Sequence, residues 1–299
     1  MENPKWGACE PLADAHCHLQ DCRIEPDRLH RIVRSKELSY IVVNGCSPDD
    51  WSRVLEIWKA YPDVILPQLG LHPWWVSKQG DGTSWLDDLQ RLLEEYPMAG
   101  LGECGLDASG KWMDSLELQE KAFKCQIQLA ISLGRPLSVH CVKAYGRVLD
   151  HLSIVKQRVP ILLHGWGGSA EMTRTCVGQL KNVYFSINLG LIRLDPMRAL
   201  RMLKEVPKER FVLESDSPDG VLVRDRWEVW LSYLPQLHRV AETLANRIQQ
   251  AHERSDPHNV ILVAHIVAIL TEQSPCAVMA TSMGNVEQIF KQHHIPHRN

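Results

Sequence analysis

The apolar and polar positions of this chain repeat one unit: a short, often β-branched apolar run, a polar break, then an amphipathic stretch with helical spacing. Eight runs read as strands: Pro11–His18, Ser39–Cys46, Val64–His72, Met98–Gly105, Pro136–Val142, Pro160–His164, Val183–Leu189 and Arg210–Asp216. Helical patterns fall between them at Pro48–Ala60, Trp85–Glu95, Leu116–Leu133, Ala144–Val155, Ala170–Leu180 and Pro196–Glu205. Ser47-Pro48 and Asp195-Pro196 offer an N-cap followed by proline at the first helical position, and Ser84 stands before its helix. Strand and helix in alternation predict an α/β protein with a parallel sheet. Eight such units predict a closed (β/α)8 TIM barrel. The alternative is an open doubly wound sheet, against which no Gly-x-Gly-x-x-Gly follows the first run.

After the eighth run the unit loosens. Residues 219–256 hold Trp227, Trp230 and Tyr233 and then a polar helical stretch, Ala241–Glu253. This is predicted to be an extended loop and helix region over the barrel mouth, with Val260–Leu270 as the closing helix. All 299 residues then read as one barrel domain.

Composition narrows the classes. A formal net charge of −3 gives no overall attraction to nucleic acid, so any phosphate recognition is local to a site. The nine cysteines form no Cys-x-x-Cys pair; Cys46, Cys104 and Cys141 sit in or beside strand-like runs and read as buried thiols in a reducing compartment. Met1–Glu10 shows neither an apolar leader core nor an Arg-rich amphipathic stretch. Val260–Leu270, interrupted by His265, is shorter than the ~20 residues a membrane-spanning helix needs. The expected location is the cytoplasm, with the nucleus as the alternative, and no membrane partner is expected. The last residues, His293–Asn299, read as a frayed tail.

The chemistry lies at the ends of the runs, where a barrel of this kind builds its active site. The first run ends in Asp14-Ala15-His16-Cys17-His18, whose alternation sets two imidazoles side by side and turns Cys17 away. The third ends in His72, the fourth passes through Glu103, the fifth and sixth end in His140 and His164, and the eighth in Glu214-Ser215-Asp216. Each of these alone has an ordinary structural reading, such as a turn, a cap or a carbonyl partner. Together they gather imidazoles and carboxylates on one rim, which is costly unless a cation joins them. The set suits two divalent ions (Mg, Mn or Zn): His16, His18 and Asp216 on one, His140 and His164 on the other, Glu103 bridging. With a bridging hydroxide such a centre keeps about one positive charge, which favours an anionic transition state. Asp216 and Glu103 are the catalytic candidates, and Glu214 is expected to support a ligand.

These residues resemble the TatD family of metal-dependent deoxyribonucleases, within the amidohydrolase-like barrel superfamily. The resemblance rests on Asp14-Ala15-His16-Cys17-His18, Gly70-Leu71-His72-Pro73-Trp74, Gly102-Glu103-Cys104-Gly105-Leu106-Asp107 and Gln119…Phe123…Ala130…Pro136-Leu137-Ser138-Val139-His140. It continues through His164-Gly165-Trp166-Gly167-Gly168-Ser169, Glu214-Ser215-Asp216-Ser217-Pro218 and Asn285…Phe290, spanning nearly the whole chain in order. It implies His16, His18, Glu103, His140, His164 and Asp216 as metal ligands, His72 near the substrate phosphate, and trimming of DNA from the 3′ end. The chain departs from the family pattern around the substrate. Val142-Lys143 stands where an Arg is usual, Trp166-Gly167 where an aromatic and Ser or Thr are usual, and Asp219-Gly220-Val221-Leu222 where an aromatic-Leu segment is usual.

The leading expectation is therefore a 3′-exonuclease or phosphodiesterase acting on DNA through a metal-bridged hydroxide. His72, Lys143 and Trp166 are the substrate-binding candidates, Trp74 and Trp75 further stacking surfaces, and Arg193, Arg224 and Arg226 basic residues at the mouth. The alternatives are a hydrolase of a neutral ester, lactone or amide on the same centre, and a non-enzymatic metal-binding scaffold.

Overall fold

A computed structural model describes residues 12–79 and 82–291; Met1–Glu10 and the His293–Asn299 tail lie outside the described residues. Eight parallel strands follow one another in a single sheet: β1 (Leu12–Cys17), β2 (Leu38–Asn44), β3 (Ile65–Leu69), β4 (Gly100–Asp107), β5 (Leu137–Val142), β6 (Ile161–Leu163), β7 (Val183–Ile187) and β8 (Phe211–Leu213). Beyond β8, the N–H of Asp216 donates to His16 O at 3.0 Å and the N–H of His18 to Ser217 O at 2.7 Å. The chain thus returns to β1, and the sheet rolls into the predicted (β/α)8 barrel. Helices α1 (Pro26–Val33), α2 (Pro48–Ala60), α3 (Ser84–Glu95), α4 (Leu116–Leu133), α5 (Tyr145–Leu152), α6 (Ala170–Gln179) and α7 (Pro196–Lys204) follow the first seven strands. Ser47 and Asp50 form a reciprocal capping box at α2, and Asp195 accepts from the N–H groups of Met197 and Arg198 at α7. Ser84 is the first residue inside α3, with Thr83 in the cap position.

Two expectations about the C-terminal third change. Residues 219–256 form three helices, α8 (Arg224–Tyr233), α9 (Gln236–Thr243) and α10 (Ala245–Glu253), so the expected helix over Ala241–Glu253 breaks at Leu244. This region packs on the loops beyond β7 and β8: the Trp230 indole donates to Ile192 O and Leu194 O, and Ser217 Oγ donates to Ser255 O. The next helix, α11 (Val260–Thr271), is buried on nearly all sides. A following helix, α12 (Pro275–Phe290), capped by Ser274, packs directly on β1 and β8 and closes the barrel. Because α11 is apolar all round, its sequence shows no single core-facing stripe. Among the described residues no single helix is long and apolar enough to cross a membrane.

The barrel interior has two halves. At the N-terminal ends of the strands, Ala13, Ala15, Val42, Leu66, Leu162, Tyr184 and Val212 form an apolar cluster with Val286, Ile289 and Phe290 of α12. Leu12, Ile41, Val43, Ile65 and Leu213 belong instead to the core between barrel and helices. Two strands break this alternation. Ala13 and Ala15 belong to the interior cluster, yet Cys17 lies in the outer core and His16 reaches inward to Glu103. The β1–β2 register slips between Asp14 and Cys17, and this slip turns both histidines into the barrel. In β4 the slip falls between Leu101 and Cys104, around Glu103. Gly102 and Gly105 flank that carboxylate at φ 152° and 141°, and a Cβ there would meet Ser138 Cβ at 2.6 Å or His140 O at 2.0 Å. Only glycine allows β5 to lie so close beside Glu103.

Candidate metal centre

The C-terminal half of the interior is built around one carboxylate. Glu103 Oε2 lies 3.2 Å from His16 Nε2 and 3.3 Å from His18 Nε2. Glu103 Oε1 lies 2.7 Å from His164 Nε2, 2.8 Å from His140 Nδ1 and 3.2 Å from His72 Nε2. The His16 and His164 rings stack at 3.9 Å, and His16, His164 and Asp216 can together reach one ion. Asp216 Oδ1 is 3.8 Å from His18 Nε2. Its side chain is 27 % exposed, the most open of the six ligand candidates. It sits at φ 51°, a left-handed turn that Asp tolerates better than most residues. The six candidates thus converge, with His72 as a fifth imidazole on Glu103.

The partner behind each ring fixes which inner nitrogen is bare. His18 Nδ1–H donates to Asn44 O at 2.8 Å, leaving Nε2 bare toward Glu103. His140 turns Nε2 to Asp107 Oδ2 at 3.4 Å, leaving Nδ1 bare. His164 Nδ1 faces Glu214 Oε1 at 3.6 Å, and that oxygen is itself held by Gly165 N–H and Asn188 Nδ2. His72 is the opposite case: its Nδ1 accepts the Trp74 N–H at 3.2 Å, so Nε2 carries the proton and points a donor at Glu103. His18 and His140 are therefore oriented as ligands and His72 as a hydrogen-bond donor, although His72, Glu103 and His140 also lie within reach of a common ion. Two glutamines of α4 hold this side of the site. Gln126 brackets Leu71 N–H and C=O next to His72, and Gln119 accepts from Asp107 N–H.

The electrostatics call for positive charge. Burial pushes the Glu103 carboxyl up, but the surrounding imidazoles more than reverse it and hold it well below the carboxylate range. Burial pulls His164 and His140 down, yet Glu103, with Glu214 or Asp107, raises both above the usual imidazole value. His16 and His72 are dominated by burial and fall to about 4. Burial lifts Asp216 to about 6. Bare imidazole nitrogens 2.7–3.3 Å from carboxylate oxygens have no hydrogen to share unless a proton or cation joins them. Ligands of an ion with bonds of ~2.0–2.1 Å stand about 3 Å apart, so this donor set fits divalent metal ions.

The substrate candidates separate. Lys143 is exposed in a left-handed turn at φ 56° beyond β5. Trp166 corrects the expectation of a stacking surface: it is 4 % exposed, packs on Phe185 and Tyr145, and donates its indole N–H to Thr173 Oγ1. It follows the turn at Gly165 back into the barrel–helix core, where its apolar area is better buried. Trp75 is half-buried with Lys78 Nζ 3.9 Å above its ring. Trp74 is 42 % exposed beside the site. Arg193, Arg224 and Arg226 are exposed, and Arg226 Nη2 donates to Arg193 O. Sequence reasoning gave no role to Asp107, Asn188, Gln126 or Trp112. Asp107 sits in the quoted Glu103 motif and was within reach of that reading.

Known proteins agree with this architecture. The family model described as TatD related DNase matches residues 13–291. The 3′-5′ ssDNA/RNA exonuclease TatD of Edwardsiella piscicida is 30% identical over 213 residues, covering 69% of this chain and 79% of the relative. The human 3′-5′ RNA nuclease TATDN2 is 27% identical over 227 residues, covering 70% of this chain and 28% of that protein. The crystal structure of the TatD homologue YJJV from Escherichia coli superposes with a TM-score of 0.77 at 20% identity, over 95% of this chain and 98% of that one. The chain belongs to the TatD-related DNase family of metal-dependent hydrolases.

Proposed function

We propose that this chain is a 3′-5′ exonuclease on single-stranded nucleic acid, with DNA as the leading substrate and two divalent ions held between Glu103 and its histidines. The observation that carries the reading is the buried Glu103 carboxylate with nitrogens of His16, His18, His140 and His164 within 3.3 Å and a fifth imidazole, His72, oriented as a donor. In this reading His16, His18 and Asp216 would hold one ion and His140 and His164 the other, with Glu103 available to both. Bound divalent ions supply the charge that makes water acidic near neutral pH and neutralises a phosphate.

The residues themselves do the rest. Asp216, the most open of the ligand candidates, faces the mouth and accepts the proton of the attacking water. His72 directs its Nε2–H at Glu103 Oε1 and holds that carboxylate in its orientation. Glu214, tied by Asn188 and Gly165, keeps His164 in its orientation. Lys143 adds a point charge at the rim.

The test is digestion of 3′- and 5′-labelled single-stranded DNA and RNA with Mg, Mn and Zn, beside a chromogenic carboxylic ester. Stepwise shortening from the 3′ end supports the reading. Turnover of the ester alone transfers the centre to neutral substrates and overturns it.

A further inference from the structure

Trp74 and Trp112 form a feature that the metal centre does not use. Their rings stack at 5.2 Å with an interplanar angle of 9°. Lys111 Nζ lies 4.4 Å from the Trp112 ring, adding positive charge to the stack. The Trp74 indole N–H donates to Asp107 Oδ2 at 2.6 Å, the oxygen that also faces His140 Nε2. The Trp74 ring meets the His72 ring edge-on at 4.9 Å. The stack is anchored at its Trp74 end, yet Trp74 is 42 % exposed and Trp112 is half-buried. Large aromatic area at a hydrolase mouth is left in water at a cost unless a ligand covers it. Packing does not account for it, since Trp166 and Trp230 show how this fold buries an indole with its N–H satisfied.

We infer that the Trp74–Trp112 pair is a stacking platform for a nucleobase adjoining the scissile phosphate, and that it sets preference for nucleic acid over base-free phosphodiesters. This rests on the nuclease reading. The Trp74 ring meets His72 at the edge of the metal centre, so a phosphate held at that centre sets its neighbouring base toward the indole pair. Every base offers a π-face, so the platform gives affinity with little sequence preference. Lys111 attracts the backbone as a surface charge. Asp107 ties the platform to His140 and thereby fixes its position relative to the metal centre.

The test compares Trp112→Ala and Trp74→Phe with the parent chain on a single-stranded oligonucleotide and on bis-p-nitrophenyl phosphate. Trp112→Ala is expected to raise the oligonucleotide KM about tenfold more than that of the base-free diester. Trp74→Phe keeps a ring but loses the indole N–H that donates to Asp107, and is expected to raise the oligonucleotide KM less than Trp112→Ala does. An abasic nucleotide at the terminal or the penultimate position is expected to abolish the Trp112→Ala effect at one of the two. An equal KM change on both substrates, or an effect that survives both abasic positions, overturns the platform. Binding without turnover separates this from the nuclease reading: in Asp216→Asn, oligonucleotides carrying 2-aminopurine at the terminal or the penultimate position are expected to lose fluorescence on binding at one of the two, and Trp112→Ala to abolish that quenching. Quenching without any cleavage by the parent chain leaves the platform standing and removes the nuclease reading; no quenching removes the platform.

Discussion

The two halves of the barrel interior share one closed sheet and have opposite character. The floor is apolar, from Ala13 and Val42 to Ile289 and Phe290, and is plugged by the end of α12. The rim holds five imidazoles around one carboxylate with Asp216, Glu214 and Asp107 behind them. The floor removes apolar area from water and stabilises the fold. The rim concentrates ionisable groups that cost stability until a cation arrives. Placing both on one sheet lets an apolar floor hold a charged rim in fixed geometry. A change to the floor is expected to move stability and spare the chemistry, and a change to the rim to do the reverse.

The largest expected effect is at the rim. Asp216→Asn is expected to lower kcat on the oligonucleotide by about 10²–10⁴-fold, with a melting temperature at or above that of the metal-free parent, because the buried carboxyl is already raised. Activity within tenfold of the parent removes Asp216 as proton acceptor. Next, Phe290→Ala on the floor is expected to cost about 3–5 kcal/mol in denaturant unfolding, while metal affinity of the folded fraction stays the same. A loss of metal affinity without a loss of stability would collapse the distinction between the halves. Glu214→Gln is expected to weaken metal binding by about 10–100-fold, measured by competition with a chromogenic chelator.

The smallest effect is in pH. Asp216 has its folded-state pKa raised to about 6, so the metal-free fold retains that proton after the unfolded chain has released it, and stability falls as pH rises toward 6. A bound ion requires the ionised carboxylate and bare imidazoles, so the metal's stabilisation grows over the same range. The rise in melting temperature on adding Mn is therefore expected to be larger at pH 7.5 than at pH 5.5. A smaller rise at pH 7.5 contradicts the ligand assignment.

The alternating runs made the barrel legible because each strand is short, apolar and followed by a capped amphipathic helix. The ends of those runs made His16, His18, Glu103, His140, His164 and Asp216 visible as a set. What was hidden depends on interactions between elements. The slips in β1 and β4 that aim His16 and Glu103 inward arise from pairing with β2 and β5. Helix α1 went unassigned because it is only eight residues long and begins at Pro26 without a side-chain cap. The closing role passed from α11 to α12 because an all-apolar helix does not show which face meets the barrel. Trp166 and Trp74 look alike as rim tryptophans in sequence. Only the turn at Gly165, which carries one into the core, and the Asp107 contact, which holds the other at the surface, tell them apart.

The central claim is that Glu103 organises a two-metal rim on an apolar floor. Metal content by mass spectrometry after saturation and desalting, on the parent chain and on Glu103→Gln, tests it most directly. The account predicts two divalent ions per chain in the parent and loss of both in the variant, with the fold retained by circular dichroism. A single ion in the parent, or an unchanged metal content in Glu103→Gln, would contradict it.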